Sequence, residues 1–393
     1  MPLHILVDEN IPLASEAFST LGRVTCLPGR RMTPEAVRIA DVLLVRSVTR
    51  VDAALLEGSA VRFVGSATIG TDHVDRAYVQ ERGIAFAYAP GSNAESVVEY
   101  VLAALLRLSV RKAEALRGKT VGIVGCGHIG GQLAVRLPAF GVRVLKNDPP
   151  LAEHARQAER PHDFVPLDKV LAEADILTSH VPLTREGPHA TYHLLDETTL
   201  RRMKPGAWLL NTARGAVVSN EALKAVLADG HLGAAVLDVW ENEPVPDPGL
   251  LHLVDLATPH IAGYSFDGKI RGTRMLYQAL VDYLDVLPTW DAGAALAPGP
   301  DEVLPLAVPD PMLSEMVWLD HLVRQMYDLQ ADDARLRRLL TLPPEKHAAY
   351  FSGLRKQYPR RRSFTRHTQA HRDIPDRYRT LIEEGLRIQR GQG

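Results

Sequence analysis

Residues 120–130 read Thr120-Val121-Gly122-Ile123-Val124-Gly125-Cys126-Gly127-His128-Ile129-Gly130, an apolar run that closes on three glycines spaced as GxGxxG and passes into a helix-compatible stretch from Gly131 to Phe140. This order constrains the chain more than anything else in it. Gly125 suits the tight turn after a strand, Gly127 lets the backbone approach a pyrophosphate, and Gly130 lets helix and strand pack closely. The N-terminus of the helix then faces the phosphates. Asp148 ends the next apolar stretch (Val142 to Lys146), 148 − 130 = 18 residues past the last glycine, where a carboxylate accepts the ribose hydroxyls of NAD and repels a 2′-phosphate. NAD is therefore the expected cofactor, with Lys146 close enough to leave NADP open; a plain strand-to-helix turn, with Asp148 starting the turn at Pro149-Pro150, is the simpler alternative.

The rest of the chain supplies the repeats such a turn needs. Apolar strands are expected at Ile5–Val7, Val42–Val45, Phe63–Gly65 and Ile84–Tyr88. A second series is expected at Thr120–Val124, Arg143–Lys146, Asp175–His180, Trp208–Asn211, Ala234–Asp238 and Asp255–Ala257, with helical segments between. Six strands in alternation with helices is the count of a doubly wound dinucleotide fold. Ala94 to Val110 reads as a long helix buried between two domains, and Ile270 to Leu287 as a helix returning to the first. Residues 288–311, with Pro288, Pro298, Pro300, Pro305, Pro309 and Pro311, read as a linker or arm, and Met312 to Leu342 has helical periodicity.

At 393 residues and 46% hydrophobic, the chain can fill several cores, and 45 Lys+Arg against 47 Asp+Glu gives no global field for a nucleic acid or an anionic membrane. No stretch approaches the ~20 apolar residues of a membrane span, and Met1 to Glu9 reads as a buried strand, not a secretory signal. Two cysteines, Cys26 and Cys126, make no disulfide framework, so a reducing cytoplasm is expected.

Three segments at the carboxyl ends of expected strands carry the chemistry: Asn211-Thr212-Ala213-Arg214-Gly215, Leu237 to Pro244 (LDVWENEP) and Thr258 to Gly263 (TPHIAG). Doubly wound sheets bind ligands at those ends. Oxidation of a 2-hydroxy acid needs a base for the hydroxyl proton, for which His260 is the histidine among these segments. It also needs a cation for the carboxylate, for which Arg214 offers two parallel hydrogen bonds. Glu243 would hold the imidazole ring and favour its cationic form. Singly, each residue has a plainer reading: a surface ion pair, a solvated turn residue, a helix-capping histidine. A methyltransferase could use the same glycine turn, but the downstream segments do not suit one.

The order GCGHIG, NTARG, LDVWENEP and TPHIAGYS resembles the D-isomer-specific 2-hydroxyacid dehydrogenase family over roughly residues 1 to 285. ILVDENIP (5–12), VRSVTRVD (45–52), GSATIGTDHVD (65–75), PGSNAESVVEY (90–100) and HIAGYSFDGKIRGT (260–273) are similar to one branch of it over nearly the whole chain. The resemblance implies NAD-dependent oxidation of 4-phospho-D-erythronate to 2-oxo-3-hydroxy-4-phosphobutanoate, on the way to pyridoxal phosphate. It implies a Rossmann-type NAD-binding domain (94–264), a flavodoxin-like α/β substrate domain (1–93 and 265–287), and a linker with a C-terminal α+β dimerisation domain (288–393), hence a homodimer. By the same likeness Arg214, Glu243 and His260 are catalytic. Gly125, Gly127, His128, Ile129, Gly130, Asp148, Val181, Thr212, Ala213, Arg214, Asp238 and Gly263 meet the cofactor, and Ser47, Thr68 and Tyr264 the substrate. Arg46 is a plausible anion partner beside them; Ser47 and Thr68 could instead cap local turns. Ser219 stands where relatives often carry Asp. The alternatives are another D-2-hydroxy acid, such as 3-phosphoglycerate, and an NAD-sensing, corepressor-like interaction module.

Some features are assigned no chemistry. His73 could line the cleft, but Asp72 and Asp75 read as helix-start residues and a local cap is the plainer reading; Cys126 reads as a small packing residue. His367 and His371 have metal-type spacing but no third ligand, so no metal is expected. Arg360-Arg361-Arg362 reads first as a solvated basic face, and alternatively as an arm toward the substrate phosphate in a dimer.

Overall fold

The computed structural model describes residues 3–296, 306–369 and 374–390. The chain divides into two compact units, Met1–Ala94 with Tyr264–Glu302, and Glu95–Gly263 with Val303–Gly393.

In the first unit five parallel strands, β1 (His4–Asp8), β2 (Arg23–Leu27), β3 (Val42–Val45), β4 (Phe63–Ser66) and β5 (Ala85–Tyr88), lie in the order β2-β1-β3-β4-β5. This is the flavodoxin-like order. The inner strands β3 and β4 are buried at every residue, as parallel strands covered on both faces must be. The edge strand β2 has no expected counterpart in the sequence reading; it is half exposed, so it carries no apolar run. The helix expected from Ile270 begins earlier, at Phe266, because Ser265 accepts the Gly268 N–H at 3.0 Å as its cap, and it ends at Leu284 on left-handed Asp285. Its Leu276, Tyr277, Leu280 and Val281 pack beneath β1 and β3.

The second unit holds six parallel strands: β6 (Thr120–Val124), β7 (Arg143–Asn147), β8 (Ile176–Ser179), β9 (Trp208–Asn211), β10 (Ala234–Leu237) and β11 (Leu256–Ala257), in the order β11-β10-β9-β8-β6-β7. The sequence direction reverses beside β6, so the crevice at its carboxyl end is a topological switch point. Gly122 in β6 is required by packing, since a Cβ there would lie 2.3 Å from Val170 Cγ1 on the helix Leu167–Glu173. The long helix Ala94–Lys112 buries Val98, Val101, Leu102 and Leu105 in the core of this unit.

Residues beyond 306 belong to the same compact unit. The helices Glu315–Met326, Leu329–Arg337 and His347–Lys356 send Trp318, Leu319 and Leu322 into the cluster under the long helix, and Leu336 and Phe351 into the other large cluster of the unit. Two short strands, Thr368–Gln369 and Gln389–Arg390, pair in parallel. Three prolines of the expected linker, Pro298, Pro300 and Pro305, and His371 of the histidine pair lie outside the described residues.

The basic run requires a correction. Arg360 is exposed, but Arg361 and Arg362 are 5% and 6% exposed, so the run is no solvated face. Arg361 gives two hydrogen bonds to main-chain carbonyls and stacks 4.2 Å from the Tyr327 ring centroid.

Candidate active site

The glycine turn leaves β6 with Gly125 at φ 89°, in the left-handed region. A Cβ on Gly125 would meet the His180 carbonyl carbon at 2.7 Å and Val181 Cγ1 at 2.8 Å, which places Val181 over the turn. A Cβ on Gly130 would lie 2.0 Å from the Gly125 carbonyl oxygen, whereas a Cβ on Gly127 would meet nothing within 4 Å. The open side of Gly127 is the side a phosphate group would take. Gly127 also precedes the helix His128–Arg136, which has no side-chain cap. Its first N–H groups are thus left for an anion.

Asp148 has two tasks. One carboxylate oxygen caps the following helix at the Leu151 N–H (3.0 Å), and the other accepts the Cys126 N–H (2.8 Å), tying the end of β7 to the glycine turn. The turn-starting reading of Asp148 is thus realised, and the same carboxylate is fixed beside the glycine turn. Lys146 is occupied by an ion pair with Asp163 and lies over the Phe164 ring. Burial is the largest influence on the Cys126 thiol, with Asp148 adding to it, and pushes it up to about 12.

The three other segments leave neighbouring strands β9, β10 and β11 on the same edge of the sheet. After β9, Asn211 folds the turn: its Oδ1 accepts the Ala213 N–H (3.1 Å) and its Nδ2 donates to the Arg214 carbonyl (2.9 Å). Arg214 Nη1 donates to the Ala213 carbonyl at 2.8 Å. Thr212 Oγ1 lies 3.3 Å from His180 Nδ1, and burial drives the pKa of that imidazole down to about 3, so it is neutral. Gly215 brings the turn against the next segment, because a Cβ there would lie 2.0 Å from the Trp240 carbonyl carbon.

His260 and Glu243 meet with Nδ1 and Oε2 2.8 Å apart, and Glu243 Oε1 accepts the Trp240 N–H at 3.0 Å. Burial raises the Glu243 carboxyl, but the charge and hydrogen bond of His260, with the Trp240 N–H, outweigh it and hold the group below the usual range. With Nδ1 engaged by Glu243, the remaining ring nitrogen is Nε2. His260 itself sits at φ 56°, a backbone conformation that L residues rarely adopt.

Asp238 explains how that conformation is held. It is 1% exposed; its Oδ1 accepts the Thr258 hydroxyl and the Ile261 N–H, both at 2.7 Å, and its Oδ2 accepts the Ala262 N–H at 2.9 Å. The His260 N–H donates to its carbonyl at 2.7 Å. Burial, foremost, raises the Asp238 carboxyl despite these bonds. Tyr100 Oη meets Thr258 Oγ1 at 2.7 Å, and Trp240 Nε1 donates to the Thr258 carbonyl at 3.0 Å. Tyr100, Trp240 and Thr258 carry no signal of their own in sequence, since each is an ordinary apolar or strand-end residue until the loop is folded.

In the first unit Ser47 follows β3 and is exposed, and Arg46 beside it pairs with buried Asp8 at 3.2 Å. Thr68 follows β4; its hydroxyl lies 2.7 Å from Ser66 Oγ, which is 2.9 Å from His73 Nε2. Of the two aspartates expected to start the helix, Asp75 is the cap, at the Tyr78 N–H, and His73 joins the hydroxyl chain. Tyr264 carries the Lys269 ammonium 4.5 Å from its ring centroid. Ser219 does the work of a cap by accepting the Ala222 N–H.

The model for the D-isomer specific 2-hydroxyacid dehydrogenase NAD binding domain matches residues 99–262, and a domain of unknown function matches residues 312–380. The erythronate-4-phosphate dehydrogenase of Salinibacter ruber is 54% identical over 386 residues, covering 98% of each chain. That of Azotobacter vinelandii is 49% identical, over 92% of this chain and 93% of its own. Among solved structures, the D-lactate dehydrogenase from Aquifex aeolicus, complexed with NAD and lactic acid, has a TM-score of 0.60 at 26% identity, covering 72% of this chain and 95% of that one. A protein from Thermus thermophilus has a TM-score of 0.60 at 32% identity, covering 73% of this chain and 99% of that one. Near-full-length likeness to these curated relatives, on a fold whose glycine turn and strand-end segments have the geometry described, shows that the chain belongs to the erythronate-4-phosphate dehydrogenases, within the D-isomer-specific 2-hydroxyacid dehydrogenases.

Proposed function

We propose that the chain oxidises 4-phospho-D-erythronate to 2-oxo-3-hydroxy-4-phosphobutanoate with NAD, in the supply of pyridoxal phosphate. The observation that carries the reaction type is the His260–Glu243 pair at 2.8 Å, on a loop whose unusual backbone is fixed by Asp238. The substrate identity rests on the curated relatives.

NAD, when bound, would supply the acceptor for the hydride that leaves C2 of the hydroxy acid. His260 Nε2 takes the hydroxyl proton, and Glu243 keeps the ring in place and offsets the charge it gains. Arg214 binds the carboxylate and polarises the C2 oxygen. Gly125, Gly127, His128, Ile129 and Gly130 would cradle the pyrophosphate, Asp148 would take the ribose hydroxyls, and Val181, Thr212, Ala213, Asp238 and Gly263 would complete the cofactor cleft. Ser47, Thr68, Tyr264 and Arg46 are assigned to the phosphorylated substrate by the family likeness. The corresponding functional division is a substrate part (1–93 and 265–287), an NAD part (94–264) and a C-terminal part (288–393) through which the chain forms a homodimer.

A cytoplasmic location belongs to the same reading. Both cysteines are free thiols, and among the described residues no helix is long and apolar enough to cross a membrane. The test is product formation from 4-phospho-D-erythronate and from 3-phosphoglycerate, each with NAD, with and without a 2-oxo acid acceptor. Preferential turnover of phosphoerythronate is expected; preference for phosphoglycerate would keep the reaction type and discard the substrate.

A further inference from the structure

The segment that carries His260 begins in the edge strand β11, only two residues long and paired on one side alone. An edge strand this short leaves main-chain groups to be satisfied from outside the sheet. Residues beyond 306 do so at both ends of the histidine loop. Before it, Asp333 on the helix Leu329–Arg337 accepts the buried Ala257 N–H at 2.8 Å. Asp333 is itself held by Arg337 Nε at 2.9 Å, and the same guanidinium donates to the Leu251 and Val254 carbonyls at 2.6 and 2.7 Å, just upstream of β11. After the loop, Arg361 Nη2 donates to the Ala262 carbonyl at 2.8 Å and to the Ser96 carbonyl, on the long helix, at 3.0 Å.

These two contacts bracket His260, three residues before it and two after. Asp238 grips the middle of the loop and the C-terminal residues grip its ends. Asp333 and Arg361 are both 5% exposed, so each contact is a charge-assisted hydrogen bond in a dry setting, where geometry is held most firmly. A left-handed histidine persists only where its surroundings over-determine it. Without the end clamps, the loop between Ala257 and Ala262 would gain freedom to rotate the imidazole away from substrate.

We propose that Asp333 and Arg361 are positioning residues for His260, so that residues 306–390 serve the active site of their own chain by setting the orientation of its catalytic histidine. This rests on the reading of His260 as the proton acceptor. It gives a role to a region whose family model carries none.

The experiment is a double-mutant cycle. Asp333→Ala, Arg361→Met and Arg361→Lys are made in the full chain, alone and with His260→Ala; kcat, KM for the hydroxy acid and NAD affinity are measured below each variant's melting transition. With misplacement of a reacting group by about 1 Å costing up to ~100-fold, each single variant should lose about 10- to 100-fold in kcat while KM and NAD affinity move by less than about threefold. In the His260→Ala background the same substitutions should lower the residual rate by less than about twofold, because the group they act through is gone. If Arg361→Met does not fold, Arg361→Lys, which keeps the buried charge but cannot span two carbonyls in the same way, carries the test. An inactive His260→Ala beside full-rate Asp333 and Arg361 variants overturns the positioning role alone, as does a loss repeated in full in the His260→Ala background. A near-normal rate in His260→Ala overturns the catalytic reading and the positioning role with it.

Discussion

Alanine at Gly127 and alanine at Gly130 should separate cofactor binding from folding within one turn of chain. At Gly130 the new methyl would lie 2.0 Å from the Gly125 carbonyl oxygen, 2.9 Å from Ile123 Cγ2 and 3.0 Å from the Gly125 carbonyl carbon. Two of these are main-chain atoms that no side-chain rotation can move aside, so the cost is that of overpacking, about 1–3 kcal/mol or more, and the whole turn must shift. At Gly127 the methyl would meet nothing within 4 Å, but the backbone there, φ −70° and ψ −143°, lies outside the regions that L residues favour. The folding cost should therefore be backbone strain alone, about 1–3 kcal/mol, with no atom to push aside. The methyl would occupy the space assigned to the pyrophosphate, and if it displaces that contact at a cost of about 1.4–2.8 kcal/mol, NAD affinity falls roughly 10- to 100-fold. Thermal melting of both variants and calorimetric titration with NAD give the two readouts. A folded Gly127→Ala protein that binds NAD as wild type would refute the placement of the cofactor over this turn.

Asp238→Asn must turn an amide NH₂ toward one of the N–H or O–H donors that the carboxylate now accepts; with about 2–4 kcal/mol for the lost charged bond and an unsatisfied buried donor, the melting temperature and kcat should both fall. Glu99, on the long helix, is fully buried; burial, the largest influence, raises its carboxyl to about 8 despite the nearby Arg361 and the Phe364 N–H it accepts. A raised carboxyl stabilises the fold fully below its ordinary range and loses that contribution as pH rises through about 8. Chemical denaturation should thus show stability falling between about pH 5 and 8, by something on the order of 3–5 kcal/mol at most, and Glu99→Gln should flatten that slope. Native alkylation followed by mass spectrometry should label exposed Cys26 and spare Cys126, whose thiol is held protonated.

The sheet of the second unit was legible because its strands other than the edge strand β7 are buried at every residue and so appear as apolar runs ending in glycine, Asn211, Asp238 or Thr258. Strand β2 escaped because an edge strand half exposed to water has no such run. The pairing of Glu243 with His260 could be anticipated from segments at the ends of adjacent strands, since parallel order places those ends side by side. What could not be read was which side chains hold the loop from behind. Asp333 and Arg361 lie 73 and 101 residues beyond His260 in the sequence, and nothing local distinguishes them from solvated helix charges. Three consecutive arginines suggest a wet basic surface, and only the packed chain shows two of them buried. Ser66 and His73 were hidden likewise, because a hydroxyl–imidazole chain with Thr68 forms only when the turn after β4 folds back.

The measurement that bears most directly on the catalytic claim is the turnover of His260→Ala alongside its NAD affinity. Loss of roughly 10²- to 10⁴-fold in kcat with unchanged NAD binding is predicted for removal of a positioned proton acceptor. Near-normal turnover of phosphoerythronate by that variant would contradict it and remove the His260–Glu243 pair from the chemistry.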